Sequence, residues 1–473
     1  MSETAVLEPI LIETMQEFGV EGRRHEAEAQ LGSKALYLGE TVINGQRGPT
    51  WRAYSGPESI ADPAEGEAGR GGWRIHMYDG NHATGEKGVI TLSTSMRKKF
   101  ALQGLPYRGA KALTMLDVTG WGLDEKKSAA RQLMTLMHNY EEGPLDNHLI
   151  DGIAGDLGTN NPRIMDAAVD QVAAQNPGYD YAWALATGTS LDHGGNEFRP
   201  EATGFGLFVS LRERLRQKGM DEADLTIQGM GAVGIWLAHH AVFSHRDGNP
   251  KINVRAMDDR DGMVYTEGKE GLIVPFEIAK KMGDAAFQAP KAAYFHGYSD
   301  GQGLRTTYRA AIPGDTKNIL TFPTDYVAPC ALPGTINIKS VVALGAREGS
   351  LGGANNDTTQ EAYEWNCEFR PGFDEITGEV ANSEGTHVSH IERTGKIATV
   401  DAGGKNMMPN REQTMAQSEA SMTALMDRRE RMGKELNTTD GRKMAAGLIV
   451  ANLFPGVVSL DDTILAAKIQ EAA

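Results

Sequence analysis

Residues 96–111 (MRKKFALQGLPYRGAK) concentrate Lys98, Lys99, Lys111, Arg97 and Arg108 in a chain whose formal net charge is −16. A lysine among small and apolar neighbours loses solvation of its charge, so its pKa falls and it exchanges protons near neutral pH. A second lysine close by lowers it further and offers a grip for a carboxylate. The residue types alone leave open the ordinary meaning of Arg-Lys-Lys, a solvated basic helix end. Asp156, between Gly155 and Gly158, reads either as a turn former or as a proton carrier that a substrate can approach.

A second pattern is Gly229-Met230-Gly231-Ala232-Val233-Gly234, G-x-G-x-x-G. Its glycines permit a tight turn, close approach to a pyrophosphate and close helix–strand packing, and the following helix N-terminus attracts phosphate. A strand at 225–227, an apolar helix to Phe243 and a second strand at 252–257 ending in Asp258 and Asp259 supply the context the pattern needs. Either acid would bind the adenosine ribose hydroxyls and favour NAD, whereas Arg260 would accept the 2′-phosphate of NADP. Two further patterns carry less. Gly297-Tyr-Ser299-Asp-Gly301 matches the G-x-S-x-G nucleophile elbow, but 302–307 (QGLRTT) is a poor start for the helix it requires. His239 and His240 are adjacent on one helix, do not face one ligand, and read as structural. No metal site is expected.

The elements that must position these residues follow from periodicity. An acidic amphipathic helix is expected over 1–30, and two short strands about Asn44-Gly45 over 34–54. A Gly- and Pro-rich loop over 56–72 should lead to a strand over 73–78. A polar loop is expected over 79–88, a helix over 92–103 ended by Pro106, a strand over 113–118 and an amphipathic helix over 124–141. Helices are also expected after Pro162 and over 205–218, where Gly219 provides the stop. Strands are expected at 293–295, 326–328 and 341–344. Residues 368–395 show no clear period, and two helices close the chain at about 411–434 and 439–453. A length of 473 residues, 23% charged and 40% hydrophobic, suits an ordinary globular protein of two or three domains. The acidic balance argues against nucleic acid as a partner. Cys330 and Cys367 form no metal-spaced pair and suit a reducing compartment. The N-terminal residues lack a basic, then apolar, leader pattern, and no apolar run is long enough for a membrane span, so a cytoplasmic protein is expected.

Taken in order, these segments resemble the glutamate/leucine/phenylalanine/valine dehydrogenase superfamily, and its glutamate enzymes most closely, over roughly 70–360. Arg70-Gly71-Gly72-Trp-Arg-Ile-His76 resembles the family's Lys-Gly-Gly-Ile-Arg-Phe-His. Lys99 to Lys111 keeps the spacing of its Lys-x5-Leu-Pro-x-Gly-Gly-Ala-Lys. Residues 154–158 (AGDLG) resemble Ala-Gly-Asp-Ile-Gly. Residues 194–206 (GGNEFRPEATGFG, which includes Thr203) resemble Gly-Gly-Ser-x-x-Arg-Pro-Glu-Ala-Thr-Gly-Tyr-Gly. Asp325-x3-Pro-Cys-Ala331 and Gly353-Ala-Asn355 match two later motifs.

The resemblance implies an α/β protein of two domains. Residues 1–205, joined by C-terminal helices over 411–473, would form the substrate and assembly domain, and 206–410 a Rossmann-type NAD(P) domain. It implies reversible oxidative deamination of an amino acid to a 2-oxo acid and ammonia, with domain closure to exclude water. Lys111 would be the catalytic lysine that polarises water for attack on the imine, and Asp156 the proton shuttle. Lys99 would grip the α-carboxylate, with Arg70, Gly71, Gly72 and Thr203 also at the substrate. Residues 229–234, Asp258, Asp259, Arg260, Ala331 and Asn355 would meet the cofactor, and a homo-oligomer, commonly a hexamer, is implied. The departures concern the substrate's distal end. Arg70 replaces a lysine, about five extra residues fall within 79–87, and Ala112-Leu113 replaces Gly-Gly. Asp401-Ala-Gly-Gly-Lys405-Asn-Met-Met408 resembles Asn-Ala-Gly-Gly-Val-x-x-Ser with a lysine for the apolar residue and Met408 for the serine. Arg70 and Lys405 would then line a pocket for an acidic or polar side chain. The alternatives are a β- or ω-amino acid as substrate, or a non-catalytic nucleotide-binding homologue.

Overall fold

The computed structural model describes residues 7–56, 68–76, 81–105, 107–118, 120–140, 148–153, 161–284, 287, 289–311 and 318–456. Two helices, α1 (Pro9–Glu17) and α2 (Arg24–Leu31), stand where one was expected, because Gly19 takes φ 66 between them. The hairpin β1 (Ser33–Ile43) and β2 (Gln46–Ser55) turns on Asn44 and Gly45, at φ 50 and 80, which is the twist-matched two-residue turn. Strand β3 (Ala68–His76) begins earlier than expected and takes in Arg70-Gly71-Gly72. Helix α3 (His82–Leu102) also begins early, with the Asn81 side chain accepting from the Ala83 N–H at 3.0 Å. Residues 82–87 are therefore helical and not loop. Next come β4 (Tyr107–Met115), α4 (Leu123–Tyr140), β5 (His148–Ile153) and α5 (Pro162–Gln175), whose start is capped by Asn161.

These strands form one sheet in the order β1-β2-β4-β3-β5, with β3 parallel to both neighbours. Side chains alternate across it. Trp51, Ala53, Leu113 and Met115 pack with Val89 of α3. Trp73, Ile75 and Ala112 pack with Ala129 and Leu133 of α4 and Ile164 and Val169 of α5.

The second sheet is built from α6 (Ala202–Lys218), β6 (Glu222–Gln228), α7 (Ala232–Phe243), β7 (Lys251–Asp259), β8 (Gly262–Tyr265), α8 (Phe276–Gly283), α9 (Lys291–Gly301), β9 (Thr307–Ala310), α10 (Asn318–Thr321), β10 (Tyr326–Pro329), β11 (Gly349–Leu351), α11 (Gln360–Phe369), β12 (Asp374–Ile376) and α12 (Gly378–Ala381). Its order is β12-β11-β10-β6-β7-β8-β9, parallel from β12 to β7 and antiparallel beyond. Two expected strands are absent. Residues 293–295 belong to α9, and 341–344 form a 3-10 turn before β11. Ser299 lies inside α9, buried, so no nucleophile elbow exists there. The chain closes with α13 (Glu384–Asp401), α14 (Arg411–Glu435) and α15 (Gly441–Leu453).

The chain divides into two compact units, Met1–Arg199 with Thr386–Gln417 and Ile449–Ala473, and Pro200–Gly385 with Ser418–Leu448. The C-terminal helices therefore do not join the first unit as a block. Charge pairs tie α14 to the second unit: Arg212 to Glu419 at 2.7 Å, Arg214 to Glu430 at 2.6 Å and Asp374 to Arg429 at 3.1 Å.

Candidate active site

In the second unit the parallel strands reverse direction of build between β6 and β10, and the crevice beyond their carboxyl ends is where such sheets take ligands. The Gly loop sits there. Gly229 has φ 96, which favours glycine, and a Cβ on it would lie 2.8 Å from the Cβ of Ala331, two residues past β10. A Cβ on Gly234 would stand 2.0 Å from the Gly229 carbonyl oxygen, so the third glycine allows α7 to press on the loop. A Cβ on Gly231, by contrast, meets nothing within 4 Å, which leaves room over the helix N-terminus for a dinucleotide phosphate. Met230 is buried, and Ala232 and Val233 open α7. Asn355, after β11, accepts from Asn382 Nδ2 at 3.3 Å. Asn382 follows α12 and also donates to the Gly353 carbonyl at 3.2 Å. Thr203 is on the first turn of α6.

The two acids after β7 have different work. Asp258 Oδ1 accepts the Gly229 N–H at 2.9 Å and so holds the loop's first turn. Burial pushes its carboxyl up to about 7, against the lowering effect of that bond. Asp259 is committed to its own chain, with Oδ1 accepting from Asp261 and Gly262 at 2.9 Å and Oδ2 from the Ala292 N–H at 2.9 Å. It closes the β7–β8 turn and caps α9. Arg260 is 86% exposed, 3.5 Å from Asp261. The sequence reading passed over Lys291, whose Nζ donates to the Met230 carbonyl at 3.0 Å and the Met282 carbonyl at 2.6 Å. Burial lowers its pKa while Asp259 and Asp284 hold it up.

In the first unit the basic cluster of 96–111 separates. Arg97 is buried and donates to the Gln30 carbonyl at 3.0 Å and to the Tyr107 carbonyl. Lys98 is buried against Glu8 at 2.5 Å. Neither is the solvated helix end that Arg-Lys-Lys suggested. Arg108 lies 4.5 Å from the Tyr54 ring centre. Lys99 is buried on the last turn of α3. Lys111, expected ahead of the strand over 113–118, sits in mid-strand on β4, half-buried, and a Cβ on Gly71 would come within 3.5 Å of its Cδ. Gly71 is thus needed for β3 to lie beside β4 and for Lys111 to pass over it; a Cβ there would stand 1.5 Å from the Ala110 carbonyl oxygen. Gly72 is half-buried on the same strand. Asp156 lies outside the described residues.

Arg70 is buried, its guanidinium 4.6 Å from the centre of the Tyr107 ring. The Tyr107 hydroxyl bonds to His390 Nδ1 at 2.6 Å. Burial, then the charges of His387, Arg70 and Arg393, push His390 down to about 3, so it is neutral. Beside it on α13, Ser389 Oγ accepts from Arg199 Nε at 2.9 Å and from the Thr187 hydroxyl at 3.2 Å. Tyr107, Thr187, Arg199, Ser389 and His390 were all missed by the sequence reading. Lys405 is not brought to this group. It is exposed in the turn after α13, and the helix from 390 to 401 spans about 16 Å at 1.5 Å per residue.

A signal for the missed residues was present. Asn382-Ser-Glu-Gly385-Thr-His-Val-Ser389 holds the asparagine, one glycine and the serine of the family's Asn-Ala-Gly-Gly-Val-x-x-Ser at the right spacing. The 401–408 segment holds the alanine and the paired glycines but neither the asparagine nor the serine. In the structure Asn382 stands beside Asn355, and Ser389 lies next to His390, which reaches the Arg70–Tyr107 stack. The asparagine and serine of the pattern are thus present at 382 and 389, where both make side-chain bonds.

The family model described as Glutamate/Leucine/Phenylalanine/Valine dehydrogenase matches residues 194–447. The chain belongs to this family. The NAD-specific glutamate dehydrogenase of Peptoniphilus asaccharolyticus is 31% identical over 255 residues, 50% of this chain and 56% of that one. The matched stretches span between 56% and 64% of the length of the curated relatives. Among solved structures, the glutamate dehydrogenase of Plasmodium falciparum superposes with a TM-score of 0.68 at 16% identity, over 98% of this chain and 92% of that one. The hetero-hexameric glutamate dehydrogenase of Thermus thermophilus, in its Leu-bound form, does so at 0.66 and 18%, over 96% and 97%. At these identities the two likenesses establish the dehydrogenase fold.

Proposed function

We propose that this chain is an NAD(P)-dependent amino-acid dehydrogenase that oxidatively deaminates an α-amino acid with an acidic distal group, giving a 2-oxo acid and ammonia. The observation that carries the reading is Ser389 beside the Arg70–Tyr107–His390 stack, in the unit that also holds Lys99 and Lys111. Arg70 supplies a planar, permanently charged donor fork, which suits a carboxylate better than the lysine it replaces. His390, neutral, adds no second full charge. The placement of Ser389 shifts the expected substrate towards an acidic side chain and away from the Arg70–Lys405 pocket inferred from 401–408.

The glycine cradle fits a dinucleotide: Gly229 and Gly234 shape the turn, and the open space at Gly231 would admit its phosphates. The bound nicotinamide supplies the acceptor for the hydride that leaves the substrate Cα. The remaining work falls to the chain. Lys99 binds the α-carboxylate, and Lys111, fixed by β4, orients the water that attacks the imine carbon. Water adds across the C=N bond, ammonia leaves with the nitrogen, and the carbonyl oxygen comes from water. Asp156 carries the protons. Asp258, close to the loop backbone, with Arg260 splayed to solvent, supports NAD over NADP. Assembly as an oligomer is supported by the hetero-hexameric relative, and a reducing, cytoplasmic setting by the free thiols of Cys330 and Cys367. Among the described residues no helix is long and apolar enough to cross a membrane.

The test is appearance of reduced cofactor, followed by absorbance, with each cofactor and a panel of acidic, polar, apolar, β- and ω-amino acids. Turnover of glutamate or a related acidic amino acid, abolished by Lys111→Ala, is expected. Silence across the panel with both cofactors would refute the reading, and turnover confined to β- or ω-amino acids would reassign the substrate.

A further inference from the structure

One turn beyond Ser389, α13 carries a buried ion pair. Lys396 Nζ stands 3.0 Å from Glu392 Oε1, with side chains 4% and 0% exposed. Burying two charges costs several kcal/mol for each ion, so the pair must be offset by further bonds to persist. Those bonds all go to one segment. Both Glu392 oxygens accept from the Gly188 N–H at 3.0 Å, and Oε1 also accepts from the Thr189 N–H at 3.4 Å and the Thr189 hydroxyl at 3.3 Å. Lys396 donates to the Trp183 carbonyl at 3.1 Å, the Ala186 carbonyl at 2.9 Å and Thr189 Oγ1 at 2.7 Å. Past Leu185 this segment has no helix or strand to hold it. The ion pair does that instead.

Thr187 lies between the pinned residues, and its hydroxyl donates to Ser389 Oγ at 3.2 Å, while Arg199 Nε donates to the same oxygen at 2.9 Å. A serine hydroxyl has two acceptor lone pairs and one proton. With both lone pairs engaged, the proton is what Ser389 has left to offer. We propose that Glu392 and Lys396 are a positioning pair, which pins residues 183–189 so that Thr187, with Arg199, turns the Ser389 hydroxyl into a fixed donor. The group it meets must be an acceptor, a carboxylate or carboxamide oxygen and not an ammonium. What Ser389 touches rests on the reading under Proposed function; the pinning of 183–189 does not.

The test compares Glu392→Gln, Lys396→Met and the double variant in the full chain. The double variant removes both charges and guards against misfolding from a single unpaired one. Hydrogen exchange is followed at the Gly188 and Thr189 amides, with the β4 amides as a reference. Activity is measured with glutamate and with norvaline, which lacks the distal carboxylate. In the double variant the two amides should exchange at least about tenfold faster while β4 is unchanged. The glutamate-over-norvaline ratio of kcat/KM should fall about tenfold, through KM and not kcat, as for one hydrogen bond to a charged group. Adding Ser389→Ala should cost nothing more, because the pair acts through that hydroxyl. Unchanged exchange, equal losses on both amino acids, or additive losses would overturn the proposal. Should the wild type turn over no amino acid, the reading of the reaction fails, and the pair is judged by exchange together with calorimetric binding of glutarate. Faster exchange with weaker glutarate binding sustains it, and either quantity unchanged refutes it.

Discussion

Residues 382–389 and 401–408 bracket the same helix and carry fragments of the same motif, yet they occupy different surroundings. The first begins beside Asn355 and ends, at Ser389, with two side chains, those of Thr187 and Arg199, donating to one hydroxyl. The second is an exposed turn whose glycines, Gly403 and Gly404, take φ 64 and 89 and simply let the chain leave α13. Paired glycines at a helix end are common for that reason, so they were the weaker half of the pattern. The asparagine and serine, which make directed bonds, were the informative half.

That contrast can be broken or sharpened by substitution. The largest effect is expected from Lys111→Ala, which serves whichever segment holds the substrate: kcat should fall by about a thousandfold, the scale of losing a positioned acid–base group. Turnover kept within a few-fold would remove the mechanism. Ser389→Ala should lower kcat/KM for an acidic amino acid by about tenfold. Met408→Ala should leave it within about twofold. The reverse ranking would return the motif to 401–408.

His390 gives a third test, through pH. Its folded pKa, about 3, lies below the ordinary 6.5, so the unfolded chain binds a proton that the folded chain refuses. Stability is therefore fully present above about 6.5 and declines as pH falls towards about 3. His390→Gln should flatten that decline, read as the urea midpoint at pH 7 against pH 4.5, and an unchanged slope would show the imidazole is not buried neutral. The same measurement on Asp258→Asn should show the opposite sign. With a folded pKa of about 7 against 3.8, Asp258 withholds stability as pH rises from about 4 to 7, and the variant should gain there. The smallest effect belongs to Lys405→Ala, expected within about twofold of wild type on every substrate. A tenfold loss would bring Lys405 back to the pocket.

Much of the fold was legible wherever a period ran long enough. The Asn44-Gly45 hairpin, the helices from 123, 162, 202, 411 and 441, and the strand–Gly-loop–helix–strand unit stand where periodicity placed them. Short apolar runs failed. Residues 293–295 are helical because Asp259, at the end of β7, caps their helix at the Ala292 amide, and three apolar residues carry no period of their own. The early start of α3 was written in Asn81 as an N-cap but hidden by the polar residues after it.

The sequence by itself determined the glycine cradle, the lysine spacing and the family, because each depends on residues close along the chain whose backbone demands are local. Only the tertiary structure decided which cations are available for chemistry. It buried Arg97 against Gln30 and Lys98 against Glu8, and it stacked Arg70 on Tyr107. It also placed Ser389 within reach of Thr187 and Arg199, and left Lys405 in solvent. A charged side chain is attractive or inert according to the partners that meet it, and those partners come from elements far apart in the chain.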